Sequence, residues 1–168
     1  PPPEPIQNTP PPEPIQNTPP PEPIQIKTAI VSKDNMVMVY VPAGEFDMGS
    51  QTGDSDEKPI HTVYLDAYWI DQTEVTNAQY ARCVADRKCT PPVGTISYTR
   101  DSYYGSSQFD NYPVILVNWN QASAYCAWAG RRLPTEAVWE KAARGTDGRI
   151  YPWGNQDPNN AQLANFGS

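Results

Sequence analysis

The chain has 168 residues, a net charge of -7 and a hydrophobic share of 38%, which leaves room for one domain with one core. An acidic balance without clusters of basic residues argues against nucleic acid and anionic membrane as partners. No stretch approaches the roughly 18 consecutive apolar residues of a membrane span, so no membrane contact is expected within the chain, and no signal peptide is visible.

Residues 1–25 are a nine-residue repeat, PPPEPIQNT twice and then PPPEPIQ. Few apolar side chains and many missing N–H donors keep such a segment out of a core, and an extended polyproline-like conformation is expected for it. It can serve as a PxxP ligand; the plainer reading, a stiff spacer, is preferred. Residues 1–27 are therefore assigned as a linker and residues 28–168 as the folded part. The chain starts inside a repeat without Met and ends in mid-pattern at Asn165-Phe166-Gly167-Ser168, which reads as a piece of a longer protein.

Met36 to Val41 alternates as a strand, Pro42-Ala43-Gly44 reads as a turn and Glu45 to Met48 as the paired strand, so a hairpin is predicted. The acidic loop from Gly53 to Lys58 lacks the ordered spacing of a calcium loop and reads as solvated. Thr62 to Ile70 (TVYLDAYWI) reads as one strand. His61 is the only histidine, which excludes a His-rich metal centre and suggests a strand-end side chain held by a hydrogen bond. A helix then starts at the cap Thr76, with Gln79 completing a capping box, and shows Tyr80, Cys83 and Val84 on one face before ending near Asp86. Cys83 and Cys89 are spaced too widely for a CxxC pair, but a turn between them can join their sulfurs. A structural disulfide there places the domain outside the reducing cytosol. Cys126 is left as an unpaired thiol that behaves as a small hydrophobe. Pro91 to Asn111 is a long connection of the kind that is functional or mobile.

Val114 to Val117 reads as a short buried strand. A second helix starts at the cap Asn118, with Gln121 at the reciprocal position, and runs through Ala122, Tyr125, Cys126 and Ala129 to Gly130. A third opens at Thr135, is expected to carry Trp139, Ala142 and Ala143 inward, and stops at Gly145. Arg131, Arg132, Glu136 and Arg144 read as ion pairs tying these helices to the loops rather than as a catalytic cluster.

The run GRRLPTEAVWEKAARG followed by YPWGN closely resembles the signature of the formylglycine-generating enzyme family, also called the sulfatase-modifying factor domain. The upstream runs MVYVPAGEFDMGS at Met38, EKPIHTV at Glu57 and EVTNAQY at Glu74 resemble that family in the same order. The resemblance covers residues 36 to 168 and implies an irregular α+β fold of the C-type-lectin-like kind. One departure lies in the best motif, where Val138 replaces a Glu that would return to the Thr135 cap; the cap itself survives at a cost below about 1 kcal/mol.

The resemblance also implies chemistry. The family's enzymes oxidise a cysteine of a sulfatase segment to formylglycine, using dioxygen and a copper ion held by two cysteines near the end of the family pattern. None of Cys83, Cys89 and Cys126 matches those two, so no catalytic residue is assigned and the chain as given is expected to be inert, with no copper and no other cofactor. Asn165 and Phe166 resemble the family's Ala-Asn-aliphatic step, whose Asn side chain and following carbonyl bind a structural calcium. The resemblance further implies a cleft for a protein or peptide substrate, bordered by the long connection, with Tyr98, Tyr103 and Tyr104 as candidate cleft aromatics. The alternative is a non-catalytic, extracytoplasmic ligand-binding or sensory module held by the linker, for example to a bacterial protein kinase; a stalk-borne assembly protein is a third reading. If the family's second half covers the core, residues 36 to 168 alone should expose apolar surface.

Overall fold

In the computed structural model the described residues are 27–31, 33–156 and 163. The nine-residue repeat and the expected calcium ligands Asn165 and Phe166 lie outside them.

Five strands form two small antiparallel sheets. Strands β1 (Thr28–Ile30), β2 (Val37–Val41) and β5 (Tyr68–Asp71) lie in the order β1-β2-β5, and β3 (Gly44–Met48) pairs with β4 (His61–Leu65). The predicted hairpin at Pro42-Ala43-Gly44 is thus corrected, because β2 and β3 do not pair with each other. Val41 faces Tyr68 and Gly44 faces Leu65, so the register runs on unbroken through both sheets. They form one long bent ribbon whose true connection is the loop at 49–60. Pro42 cannot donate to the ladder, which breaks the pairing at the bend.

The second arm of the ribbon explains a further correction. Thr62 to Ile70 is not one strand: it divides into β4 and β5 at Asp66 and Ala67, which are both exposed and lie across from the bend at Pro42. His61 sits at the start of β4, where its Nδ1 lies 3.0 Å from the Pro59 carbonyl oxygen.

Three helices follow: α1 (Asn77–Ala85), α2 (Trp119–Trp128) and α3 (Glu136–Arg144). Both expected capping boxes are formed. Thr76 and Gln79 close the start of α1, and Asn118 and Gln121 close the start of α2. Thr135 caps α3 alone, accepting from the Val138 amide, and Gly145 at φ 73° ends it, a conformation that favours glycine. The core lies between α1 and α2. Tyr80 stacks on Tyr125 at 5.6 Å between ring centroids, and Tyr125 meets Trp128 at 5.4 Å. The Cys83–Cys89 disulfide is buried beside them and ties the end of α1 to the loop that follows.

Two other expectations are overturned. Val114 to Val117 is not a strand: Leu116 has φ 59°, which no extended run tolerates, and its side chain is exposed. Val114 still docks, donating its amide to the Val75 carbonyl at 2.8 Å. On α3 the inward residue is Lys141, at 3% exposure, while Trp139 is 62% exposed and Ala142 is exposed as well. The Lys141 ammonium donates to the carbonyls of Pro42, at 3.2 Å, and Gly44, at 2.7 Å. It thereby satisfies the acceptors freed where the ribbon bends.

Candidate functional site: a cleft over a buried ion-pair network

A cleft of about 550 Å³ opens between β5, the end of α2 and the start of α3. Tyr68, Trp69, Val138 and Trp139 line its apolar part, and Asp71, Glu74, Cys126, Arg131 and Arg132 its polar part. Beside it a shallower hollow of about 290 Å³ lies between Val39, Val41, Ile70 and Trp139. Apolar surface is exposed here: Trp69 is 42% and Trp139 62% exposed.

Beneath the cleft floor lies a network that sequence reading missed in part. Asp34, fully buried, accepts hydrogen bonds from both ends of the Arg131 fork, from the Tyr125 hydroxyl at 2.7 Å and from the Met36 amide at 3.1 Å. The Arg131 Nε also approaches Asp71 Oδ1 at 3.2 Å. That approach lacks hydrogen-bond geometry, so it is an ion pair held by charge alone. One guanidinium therefore joins the turn before β2, the end of β5 and the end of α2.

The charges set the local proton affinities. Burial alone would push the Asp34 carboxyl up, but the hydrogen bonds from Arg131, Tyr125 and the Met36 amide outweigh it and hold the group below its ordinary value. Asp71 goes the other way: burial raises it, Arg131 only partly offsets that, and the Asp34 charge adds to it. Burial and the hydrogen bond to Asp34 push the Tyr125 hydroxyl far up. The Cys126 thiol is pushed up by burial and then by the Asp71 charge, which makes it a poor nucleophile at neutral pH. The network positions the cleft.

The other sequence candidates divide. Arg144 makes an ion pair with Glu140 and donates to the Gly49 carbonyl at 3.0 Å, while Glu140 accepts from the Gly49 amide at 2.9 Å. Arg132 and Glu136 are exposed and form no ion pair among the described residues. None of the three candidate tyrosines lines the cleft. Tyr103 packs against Phe109 at 5.3 Å, Tyr104 against the core residue Tyr80, and Tyr98 is fully exposed. The long connection folds back on its own aromatics, including the short 3₁₀ turn Ser107–Phe109, which is why it does not reach the cleft.

The cysteines test the fit of a copper ion. Cys83 and Cys89 are bonded to each other and Cys126 is alone, so the described residues offer no pair of thiolates to a soft cation. Among the described residues no group of three His, Cys, Asp or Glu side chains could hold a metal ion.

The Sulfatase-modifying factor enzyme 1-like domain matches residues 25–168. The chain belongs to the sulfatase-modifying factor family. It is similar to a formylglycine-generating enzyme of Streptomyces coelicolor, with 36% identity over 70% of this chain and 50% of that protein. An inactive C-alpha-formylglycine-generating enzyme 2 of Bos taurus is 32% identical over 75% of this chain and 55% of its own length. The structure of PvdO from Pseudomonas aeruginosa superposes with a TM-score of 0.55 at 26% identity, covering 74% of this chain and 57% of that one. The chain spans about half the length of these curated relatives. As a sulfatase-modifying-factor-like chain it keeps the family's mixed α/β character, with small sheets and three helices.

Proposed function

We propose that this chain is the polypeptide-binding part of a sulfatase-modifying-factor-like domain, that an extended peptide lies in the cleft, and that the chain does not by itself oxidise cysteine to formylglycine. The observation that carries the binding reading is the cleft wall. β5 is the outer strand of its sheet among the described residues and borders the cleft, so an extended peptide can pair with its free side while its side chains meet Tyr68, Trp69 and Trp139. The lack of a thiolate pair supports the inert part, as does the likeness to a relative named inactive. The buried Cys83–Cys89 bridge supports a place outside the reducing cytosol, periplasmic, cell-surface or secreted. Small sheets joined by long loops support the C-type-lectin-like description, and a structural calcium at Asn165 and Phe166 remains part of the proposal.

The test is a titration of the chain with a cysteine-containing, sulfatase-type peptide, read by tryptophan fluorescence. Saturable binding that Trp139→Ala weakens about tenfold is expected, since buried aromatic anchors dominate such contacts. Binding that Trp139→Ala leaves unchanged, or no binding at millimolar peptide, would overturn the reading.

A further inference from the structure

We propose that the cleft is occupied in cis by the chain's own proline-rich repeat, which thereby competes with any other peptide. This rests on the reading of the cleft as a polypeptide site and names its resident ligand.

Three observations converge on this occupant. The first is chemical. Proline-rich segments dock on exposed aromatic rings because their extended conformation is pre-formed and little entropy is lost. Trp69 and Trp139 stand exposed on the cleft. A proline-rich chain has few N–H groups to give the β5 edge, so it uses the aromatic walls instead.

The second is position. Residues 1–26 end at Lys27, whose carbonyl accepts the Tyr40 amide at 3.0 Å and whose ammonium lies 5.2 Å from the Tyr40 ring centroid. Tyr40 in turn meets Trp69 edge-on at 5.3 Å. The described chain therefore begins, at Lys27, two rings away from the cleft wall. At about 3.1 Å per residue, four or five residues bridge that gap, and the third copy, Pro19 to Gln25, comes first within reach.

The third is charge. The repeat carries Glu4, Glu13 and Glu22 and no basic residue. On the cleft rim Arg132 is exposed, and among the described residues its guanidinium donates only to the Leu133 carbonyl, at 3.4 Å. A Glu set among prolines finds in it a cation without an ion-pair partner among the described residues, whereas Arg131 is already committed to Asp34 and Asp71. A short tether holds such a segment at about millimolar effective concentration, so a millimolar intrinsic affinity suffices to fill the site about half of the time.

The experiment compares two full-length chains by the indole N–H resonances of Trp69 and Trp139: the native chain, and one whose residues 1–26 are a Gly/Ser/Asn run of equal length. The probes are the synthetic peptide PPPEPIQNTPPPEPIQ and a cysteine-containing, sulfatase-type peptide. The expected results are different indole shifts in the two chains, movement of the replaced chain toward the native shifts on adding the repeat peptide, and a several-fold tighter hold of the replaced chain on the sulfatase-type peptide. Arg132→Glu should weaken the repeat peptide several-fold, and a peptide with Lys in place of each Glu should restore its binding to that variant. Identical indole shifts in both chains, unmoved by millimolar repeat peptide, would overturn the proposal. So would shifts that depend on protein concentration equally in both chains, which would make a second copy the occupant. Equal binding of the sulfatase-type peptide to both chains overturns cis occupancy and leaves the polypeptide-site reading standing; no binding of either peptide overturns both.

Discussion

Replacing Arg131 by Leu should be among the most damaging single changes in this domain. The Arg131 side chain is 10% exposed and its partner Asp34 0%. Without the fork, Asp34 keeps only the Tyr125 hydroxyl and the Met36 amide as donors. Removing one partner of a buried pair costs about 3–5 kcal/mol. The Arg131 side chain is not fully buried, which sets the expected loss near the lower end of that range, about 3 kcal/mol. For a domain of this size that is a fall in Tm of roughly 12 °C. Arg131→Lys keeps the charge but loses the fork and should fall between.

The assay is urea unfolding read by tryptophan fluorescence, with the midpoint moving at constant slope. Its acid arm gives an independent check. Asp34 is held below its ordinary value, so its contribution is full above the unfolded value, near pH 4, and is lost as pH falls through the folded value. Asp71 is held above, so its ionisation costs stability as pH rises through its folded value, and the two oppose each other. Arg131→Leu should flatten the loss toward acid. A stability change below about 1 kcal/mol with an unaltered acid arm would refute the assignment of Arg131 as the clamp.

Other outcomes are checked more simply. Lys141→Met strips the donor from the Pro42 and Gly44 carbonyls at the ribbon's bend and should cost about 2 kcal/mol in the same urea assay; an unchanged midpoint would show that water serves them as well. Reducing the Cys83–Cys89 bridge, which closes a loop of sequence separation 6, should cost about 2 kcal/mol by loop entropy, read as a lower Tm in dithiothreitol. Cys126, with its thiol pushed up, should react with iodoacetamide more slowly than free cysteine at pH 7 and accelerate only in alkaline solution; fast labelling at pH 7 would contradict its half-buried place beside the Asp71 charge.

The helices were legible because their determinants are local. Thr76 with Gln79, Asn118 with Gln121, and Thr135 with Gly145 each lie within one or two turns of what they stabilise. The Cys83–Cys89 pair was legible for the same reason. The ribbon was not, because Pro42-Ala43-Gly44 has the composition of a hairpin turn whether strands pair across it or run through it. Only the partner at Tyr68 and Leu65, far along the chain, decides between the two. Asp34 and Lys141 were missed because a charged residue in a polar stretch such as SKDN, or on a helix rich in Lys, Glu and Arg, is normally solvated. The signal that could have found Lys141 was geometric: the face of α3 holding it is also the face that meets the freed carbonyls. Of the expected cluster, Arg131 and Arg144 form ion pairs while Arg132 and Glu136 form none among the described residues, and residue type alone does not separate these cases. Leu116 at positive φ ended the expected strand, and nothing in an apolar β-branched run announces such a residue.

The most direct measurement of the central claim, that this chain holds a peptide without converting it, is a mass analysis of the cysteine-containing sulfatase-type peptide after incubation in air with the full chain and Cu(I). The account predicts a peptide that is bound and recovered with its cysteine intact. Recovery of formylglycine at the cysteine position, dependent on the chain, would contradict it.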